Sequence, residues 1–176
     1  MFPSHGRINC SLCFPSPGEM VSARSWRFRN DPGHFGSSNP KVLVLGFSKG
    51  PTQVSVYDNG PFEDIAFAKS RERLKRILVT LGLIEGSEDI NLRFREEEED
   101  FAFASLVRCS VAEIDKKTGK TIAGGPMILR AFKEPEPKRL ITNCAKQFLG
   151  SLPERVRLIV MLWVFKTGTL ASVASS

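Results

Sequence analysis

Residues 41–47, KVLVLGF, constrain this chain more than any other stretch. Four consecutive aliphatic residues, Val42 to Leu45, stand between Pro40 and Gly46, so a strand here is apolar on both faces. Such a strand fits a parallel sheet covered by helices. Two later stretches share the character: FAFASLVRC at 101–109 and RVRLIVML at 155–162. Between the first two, Phe67, Leu74, Ile77, Leu78 and Leu81 recur at helical spacing, and the pattern ends at Gly82. A second helix is expected from Pro137, whose missing N–H costs nothing at a first helical position. On it Leu140, Ile141, Cys144 and Phe148 share one face, which turns Cys144 inward. Strand, helix, strand, helix, strand predicts an α/β domain with right-handed crossovers.

The other segments read as connections. Residues 1–40, rich in Pro, Gly, Ser and Arg, show no sustained period and are expected as ordered loop, as is SKGPTQVSVYDNGPFED at 48–64. The acidic run REEEED at 95–100 suits an exposed turn, because like charges resist packing. Residues 110–137 are polar and carry the breakers KKTGKT, GGP and EPEP. The tail 163–176 offers neither a helical pattern nor another strand. Opposite the apolar face of the first helix, Lys69, Arg71, Arg73, Lys75 and Arg76 read as a solvated surface, with phosphate contact the alternative.

A chain of 176 residues, 41% of them hydrophobic, supports one domain with a core of its own. The net charge of +6, from 25 Lys and Arg against 19 Asp and Glu, favours a polyanionic partner. The N-terminus lacks the apolar segment of a signal peptide, and the longest apolar run, LIVMLWVF, is too short to span a bilayer. A soluble cytoplasmic protein is expected. GFSKG and TGKT do not match the Walker pattern, and two histidines near the N-terminus supply neither a metal pair nor a Ser-His-Asp set.

In a reducing compartment four cysteines serve as metal ligands or as buried thiols. Cys10 and Cys13 form a Cys-x-x-Cys pair, which lets two thiolates reach one metal from one turn. Cys109 closes the second apolar run and Cys144 lies on the inward stripe of the second helix, so the fold must bring them to the pair. Four unrelated buried thiols remain an equal alternative on spacing alone. Zinc and an iron–sulfur cluster both accept four thiolates.

Several of these motifs together resemble the uracil-DNA glycosylase superfamily, most closely its iron–sulfur branch, often called family 4. KVLVLGFSKGP is similar to the first sheet strand and the glycine-containing loop after it. GPFEDIAFAKSRERLKRILVTLGL is similar to the segment behind that loop, ASLVRCSV to the second strand's TNVVKCRPP, and NCAKQFLGSLPERVRLIVML to the helix, turn and strand that follow. The likeness covers about residues 9–162.

The resemblance implies a three-layer α/β/α domain with a central, mainly parallel sheet at 41–162, incomplete at the C-terminus. It also implies a 4Fe-4S cluster held by Cys10, Cys13, Cys109 and Cys144, with zinc as the alternative, tying residues 1–40 to the sheet. Residues 110–137 look like an insertion within the domain, and 163–176 like a divergent tail on a truncated member. Phe62, after Pro61, matches the aromatic on which a flipped base stacks, and Ser105 stands where the family places a base-reading asparagine. Gly46, Phe47 and Ser48 occupy the catalytic loop, but Phe47 replaces its carboxylate. Asp58, Glu63 and Asp64 are the nearest acids, expected as exposed turn residues with replacement of that carboxylate by Asp58 or Asp64 the alternative, and the family's later histidine motif is missing. The implied function is hydrolysis of the N-glycosidic bond of a deaminated base in DNA during base-excision repair, by a monomer. A noncatalytic DNA-binding or metal-stabilised descendant, or an inactive truncated product, is the alternative.

Overall fold

The computed structural model describes residues 2–122, 125–165 and 168–175. In chain order its strands are β1 (Gly6–Arg7), β2 (Met20–Ala23), β3 (Trp26–Arg29), β4 (Gly33–Gly36), β5 (Val42–Gly46), β6 (Phe101–Ser105), β7 (Ser110–Ile114), β8 (Thr121–Ile122), β9 (Leu158–Phe165) and β10 (Gly168–Ser175). The α-helices are α1 (Pro51–Asn59), α2 (Arg71–Thr80), α3 (Gly125–Ala131) and α4 (Pro135–Leu149), with 3₁₀ turns at Phe62–Asp64 and Ile90–Phe94.

The fold is mixed α/β with two sheets. The larger has the order β1-β4-β6-β5-β9-β10, and the aliphatic run identified in the sequence lies at its middle as β5. β5 runs parallel to β6, from Val42 opposite Phe101 to Gly46 opposite Ser105, and parallel to β9 on its other side. The margins differ from the mainly parallel sheet expected: β4 on β6, β1 on β4 and β10 on β9 are all antiparallel. The marginal strands pair antiparallel, an arrangement that needs no crossover helix.

Alternation along β5 and β6 supplies two packed faces. Val44, Phe101 and Phe103 meet Leu74 and Leu78 of α2, together with Phe94 and Ile90. Leu43, Leu45, Ala102 and Ala104 face the opposite way, onto Phe2, Val156 and Leu149 at the end of α4. α2 stops where Gly82 adopts φ +67°, so that Gly82 N–H bonds Val79 O and Leu83 N–H bonds Leu78 O. That pair of bonds satisfies carbonyls the helix end would otherwise orphan, and glycine enters this conformation without steric cost.

Several connections expected from the sequence are structured. Residues 1–40 contribute β1 to β4, and β3 pairs with β7 of the 110–137 region. The second sheet, β2-β3-β7-β8, is antiparallel throughout. In β3 the sequence W-R-F-R buries Trp26 and Phe28 and exposes Arg27, an alternation only four residues long. Val111, Met127, Ile128 and Ala131 join the same core, so 110–137 contributes to the packed interior. Helix α1 replaces the expected loop after Gly46: Pro51 opens it and the Gln53 side chain accepts the Gly50 N–H at 3.1 Å. Phe67 precedes α2 rather than belonging to it, and α4 starts two residues before Pro137. Residues 168–175 of the expected patternless tail form β10, which covers the free edge of β9 from Phe165 to Leu158. In the acidic run, Glu98 is drawn inward, accepting Asp100 and Phe101 N–H at 2.7 and 2.9 Å and pairing with Arg93. No helix among the described residues is long and apolar enough to cross a membrane.

Candidate functional site: a cleft at the strand ends and a cysteine corner

β5 and β6 end side by side at Gly46 and Ser105, and the chains continue in step, with Leu106 N–H on Gly46 O and Val107 N–H on Phe47 O at 2.8 and 2.9 Å. A crevice beyond the carboxyl ends of parallel strands is where α/β sheets receive ligands. Here it has two lobes that share Gly46, Ser48, Lys49 and Phe67. The larger, about 240 Å³, is walled by Phe47, Leu74, Ile77, Val111, Met127 and Ile128. The smaller, about 50 Å³, is lined by Phe35, Phe103, Ser105 and Gln53, so hydroxyl and amide groups meet aromatic faces. Phe67 at this cleft has φ +53°, a region that costs a non-glycine residue about 1 kcal/mol or more.

The resemblance-derived residues distribute unevenly around it. Gly46, Ser48 and Ser105 line the small lobe together, and a Cβ built on Gly46 would lie 3.9 Å from the Ser105 hydroxyl oxygen. Phe47 is buried and turns into the large lobe, toward Phe132 at a ring-centroid distance of 6.1 Å. Phe62 stacks on Phe35 at 4.4 Å and meets His5 edge-on at 5.3 Å, outside the lining of either lobe. Asp58 is held by Arg29 through two bonds of 2.7 and 2.5 Å, which keep its carboxyl below the usual range. Asp64 is exposed near Arg71, and Glu63 stands 3.7 Å from His5. None of these three acids, and no other carboxylate among the described residues, lines either lobe.

Beneath the cleft lies a buried polar corner that the sequence did not announce. Asp31 is fully buried and accepts Ser110 N–H at 2.7 Å and Ser110 Oγ–H at 2.5 Å. Lys49 donates to the Arg108 carbonyl and lies 3.4 Å from Asp31 Oδ1; desolvation pushes its pKa down, against the pull of Asp31. His34 Nε2–H donates to Ser37 O at 2.9 Å while Nδ1 faces Arg108 Nη1 at 3.3 Å. Burial and the Arg108 charge push its pKa down to about 3, so it is neutral. The available signal was a charge inside an apolar stretch, Arg108 in LVRCSV and Lys49 in GFSKG.

The four cysteines enter one core. Cys109 and Cys144 are buried among Phe14, Phe28, Val107 and Phe148, and Cys10 and Cys13 pack against the same cluster. Asn30 stitches them: its amide donates to Cys10 O at 3.2 Å and to Ser16 O at 2.8 Å, and Cys109 Sγ lies 3.8 Å from its Oδ1. Asn143, next to Cys144 on α4, donates to Cys13 Sγ at 3.3 Å. All four are free thiols. Burial pushes Cys109 up to about 12 and Cys144 up to about 11, and Cys144 also feels Cys13 and Cys10. No three described His, Cys, Asp or Glu side chains stand ready-spaced to hold a metal ion. In type the four are the donors a thiolate centre uses, and they share one core, where a bound cation would reverse the penalty that burial places on a thiolate. Compared with protein-family models, curated proteins and solved structures, the chain matches none.

Proposed function

We propose that the chain is a uracil-DNA glycosylase-like domain of three-layer α/β/α type. It takes a deaminated base of DNA into the cleft beyond β5 and β6 and hydrolyses its N-glycosidic bond, as a cytoplasmic monomer in base-excision repair. The observation that carries the reading is the meeting of Gly46, Ser48 and Ser105 in one cavity, because the resemblance assigns Gly46 and Ser48 to the catalytic loop and Ser105 to base binding. The aromatic walls suit a flipped base, and the net positive charge suits its backbone. Cys10, Cys13, Cys109 and Cys144 would hold a 4Fe-4S cluster or a zinc ion. The centre would be structural, joining the N-terminal segment to α4 and the strand end, since this hydrolysis involves no change of oxidation state.

A second reading has its own support: no carboxylate on the described lining is there to activate the attacking water as a general base, which favours binding without hydrolysis. Both readings are tested with oligonucleotides carrying uracil, hypoxanthine or xanthine. Strand cleavage after alkali that Ser105→Ala abolishes supports the glycosylase. Retention of lesion-bearing DNA over undamaged DNA without cleavage supports the binding module. Equal, weak retention of every oligonucleotide contradicts both.

A further inference from the structure

A guanidinium is buried at the small lobe of the cleft without a counter-charge. Arg108 is 1% exposed and lines that lobe together with Ser48, Lys49, Gln53 and Ser105. Its Nη1 faces His34, whose other ring nitrogen is committed to Ser37 O, so this neighbour brings no negative charge. Nε and Nη2 are buried with no hydrogen-bond partner. In a guanidinium these two nitrogens carry the parallel N–H bonds of one edge, the edge that grips both oxygens of a carboxylate or a phosphate. The unused groups are therefore a complete fork rather than two scattered donors.

The described residues bring no acid to that fork. Of the buried acids, Asp31 is matched by Lys49 and Ser110, and Glu113 by Arg130. No described carboxylate lines either lobe, whereas Lys49, itself only 4% exposed, adds a second cation to the small one. Lys49 and Arg108 thus stand against the single charge of Asp31, and a buried cation with unused donors is strongly unfavourable unless an anion opposes it. The lobe, about 50 Å³, has room for a group of a few heavy atoms. Through Gly46, Ser48, Lys49 and Phe67 it adjoins the apolar lobe of about 240 Å³.

We propose that the small lobe is an oxyanion subsite, in which the Nε–Nη2 edge of Arg108 receives the phosphate or carboxylate end of a ligand whose apolar body lies in the larger lobe. Lys49 adds positive charge from its place beside Asp31, and the Ser48 and Ser105 hydroxyls donate to the remaining oxygen atoms. The subsite goes beyond base excision and does not rest on it: a chain that excises no base yet binds anions through Arg108 loses the glycosylase reading and keeps this one.

The test compares the full-length chain with Arg108→Met and Arg108→Lys. Denaturation midpoints are read against rising inorganic phosphate, acetate, deoxyuridine and deoxyuridine monophosphate, with ionic strength held constant by chloride. The unaltered chain should show a saturating rise in midpoint with at least one of the three anions. Arg108→Met should begin from an equal or higher midpoint and show no such rise, a combination that misfolding does not produce. Arg108→Lys keeps the charge without the fork and should need tenfold or more anion for the same rise; it decides the matter if Arg108→Met does not fold. Monophosphate binding tenfold tighter than both deoxyuridine and inorganic phosphate assigns the oxyanion to a nucleotide, and a response to phosphate or acetate as strong as that to the monophosphate assigns it to a smaller ligand. No saturating rise in the unaltered chain with any of the anions, or the same rise in the Arg108 variants, overturns the subsite.

Discussion

The face of the sheet beneath α2 and the corner beneath the cleft are both sealed from water, yet they are held in different ways. Under α2, Val44, Phe103, Leu74, Leu78 and Phe94 fill space, and any side chain of similar shape serves. In the corner, Asp31, Lys49 and Ser110 each answer a specific partner, and Arg108 is left over with unused donors. A core of shapes tolerates substitution by side chains of similar volume, whereas a core of partners is costly to break one member at a time.

The largest effect is expected at Asp31. Asp31→Ala leaves the Lys49 ammonium buried without a counter-charge and Ser110 without its acceptor, and should cost about 3–5 kcal/mol in urea unfolding. Asp31→Asn keeps the shape and still loses the charge, so it should cost about 2 kcal/mol or more. A near-neutral Asp31→Asn would erase the distinction drawn between the two regions. On the apolar side, Leu78→Ala should cost about 3 kcal/mol, by lost transfer energy and a residual cavity, whereas Leu78→Met should stay below about 1.5 kcal/mol.

His34 sharpens the comparison through pH. Its folded-state pKa, about 3, is depressed below the ordinary 6.5, so the unfolded chain binds the extra proton and stability is lost as pH falls through that window. From about pH 6.5 to about pH 4.5 the loss should reach about 2–3 kcal/mol, and His34→Gln should flatten that part of the profile. An unchanged slope in His34→Gln would assign the acid sensitivity to other groups. The smallest stability effect is expected at Ser105, half-buried at the cleft: Ser105→Ala should cost less than about 1 kcal/mol in unfolding. A large loss there would make Ser105 part of the core rather than of a binding surface.

What the sequence disclosed follows the same division. β5, β6, β9, α2 and α4 were legible because burial on two faces or one helical stripe leaves long apolar patterns. β3 was not, because burying Trp26 and Phe28 on one face of a four-residue strand leaves two apolar letters between arginines. α1 was hidden by low amphipathicity, with polar and apolar residues alternating irregularly after Pro51. At the site, Gly46, Ser48 and Ser105 were named through the resemblance, and Gly46 and Ser105 do end β5 and β6. Asp31 and Lys49 were not named, since a buried ion pair between residues 18 positions apart leaves no periodic trace. The cysteines lie between these cases: their types were plain, but only the fold shows Asn30 and Asn143 tying the N-terminal pair to the remote one.

The proposed binding of a metal by these four cysteines is the account's central claim, and metal analysis of the full-length chain, purified without chelator and then reconstituted, tests it most directly. The claim predicts about one zinc, or about four irons with broad visible absorption, per chain, lost in Cys144→Ser and in Cys13→Ser alike. A chain that takes up neither metal, and whose four thiols react independently with a thiol reagent, would contradict it.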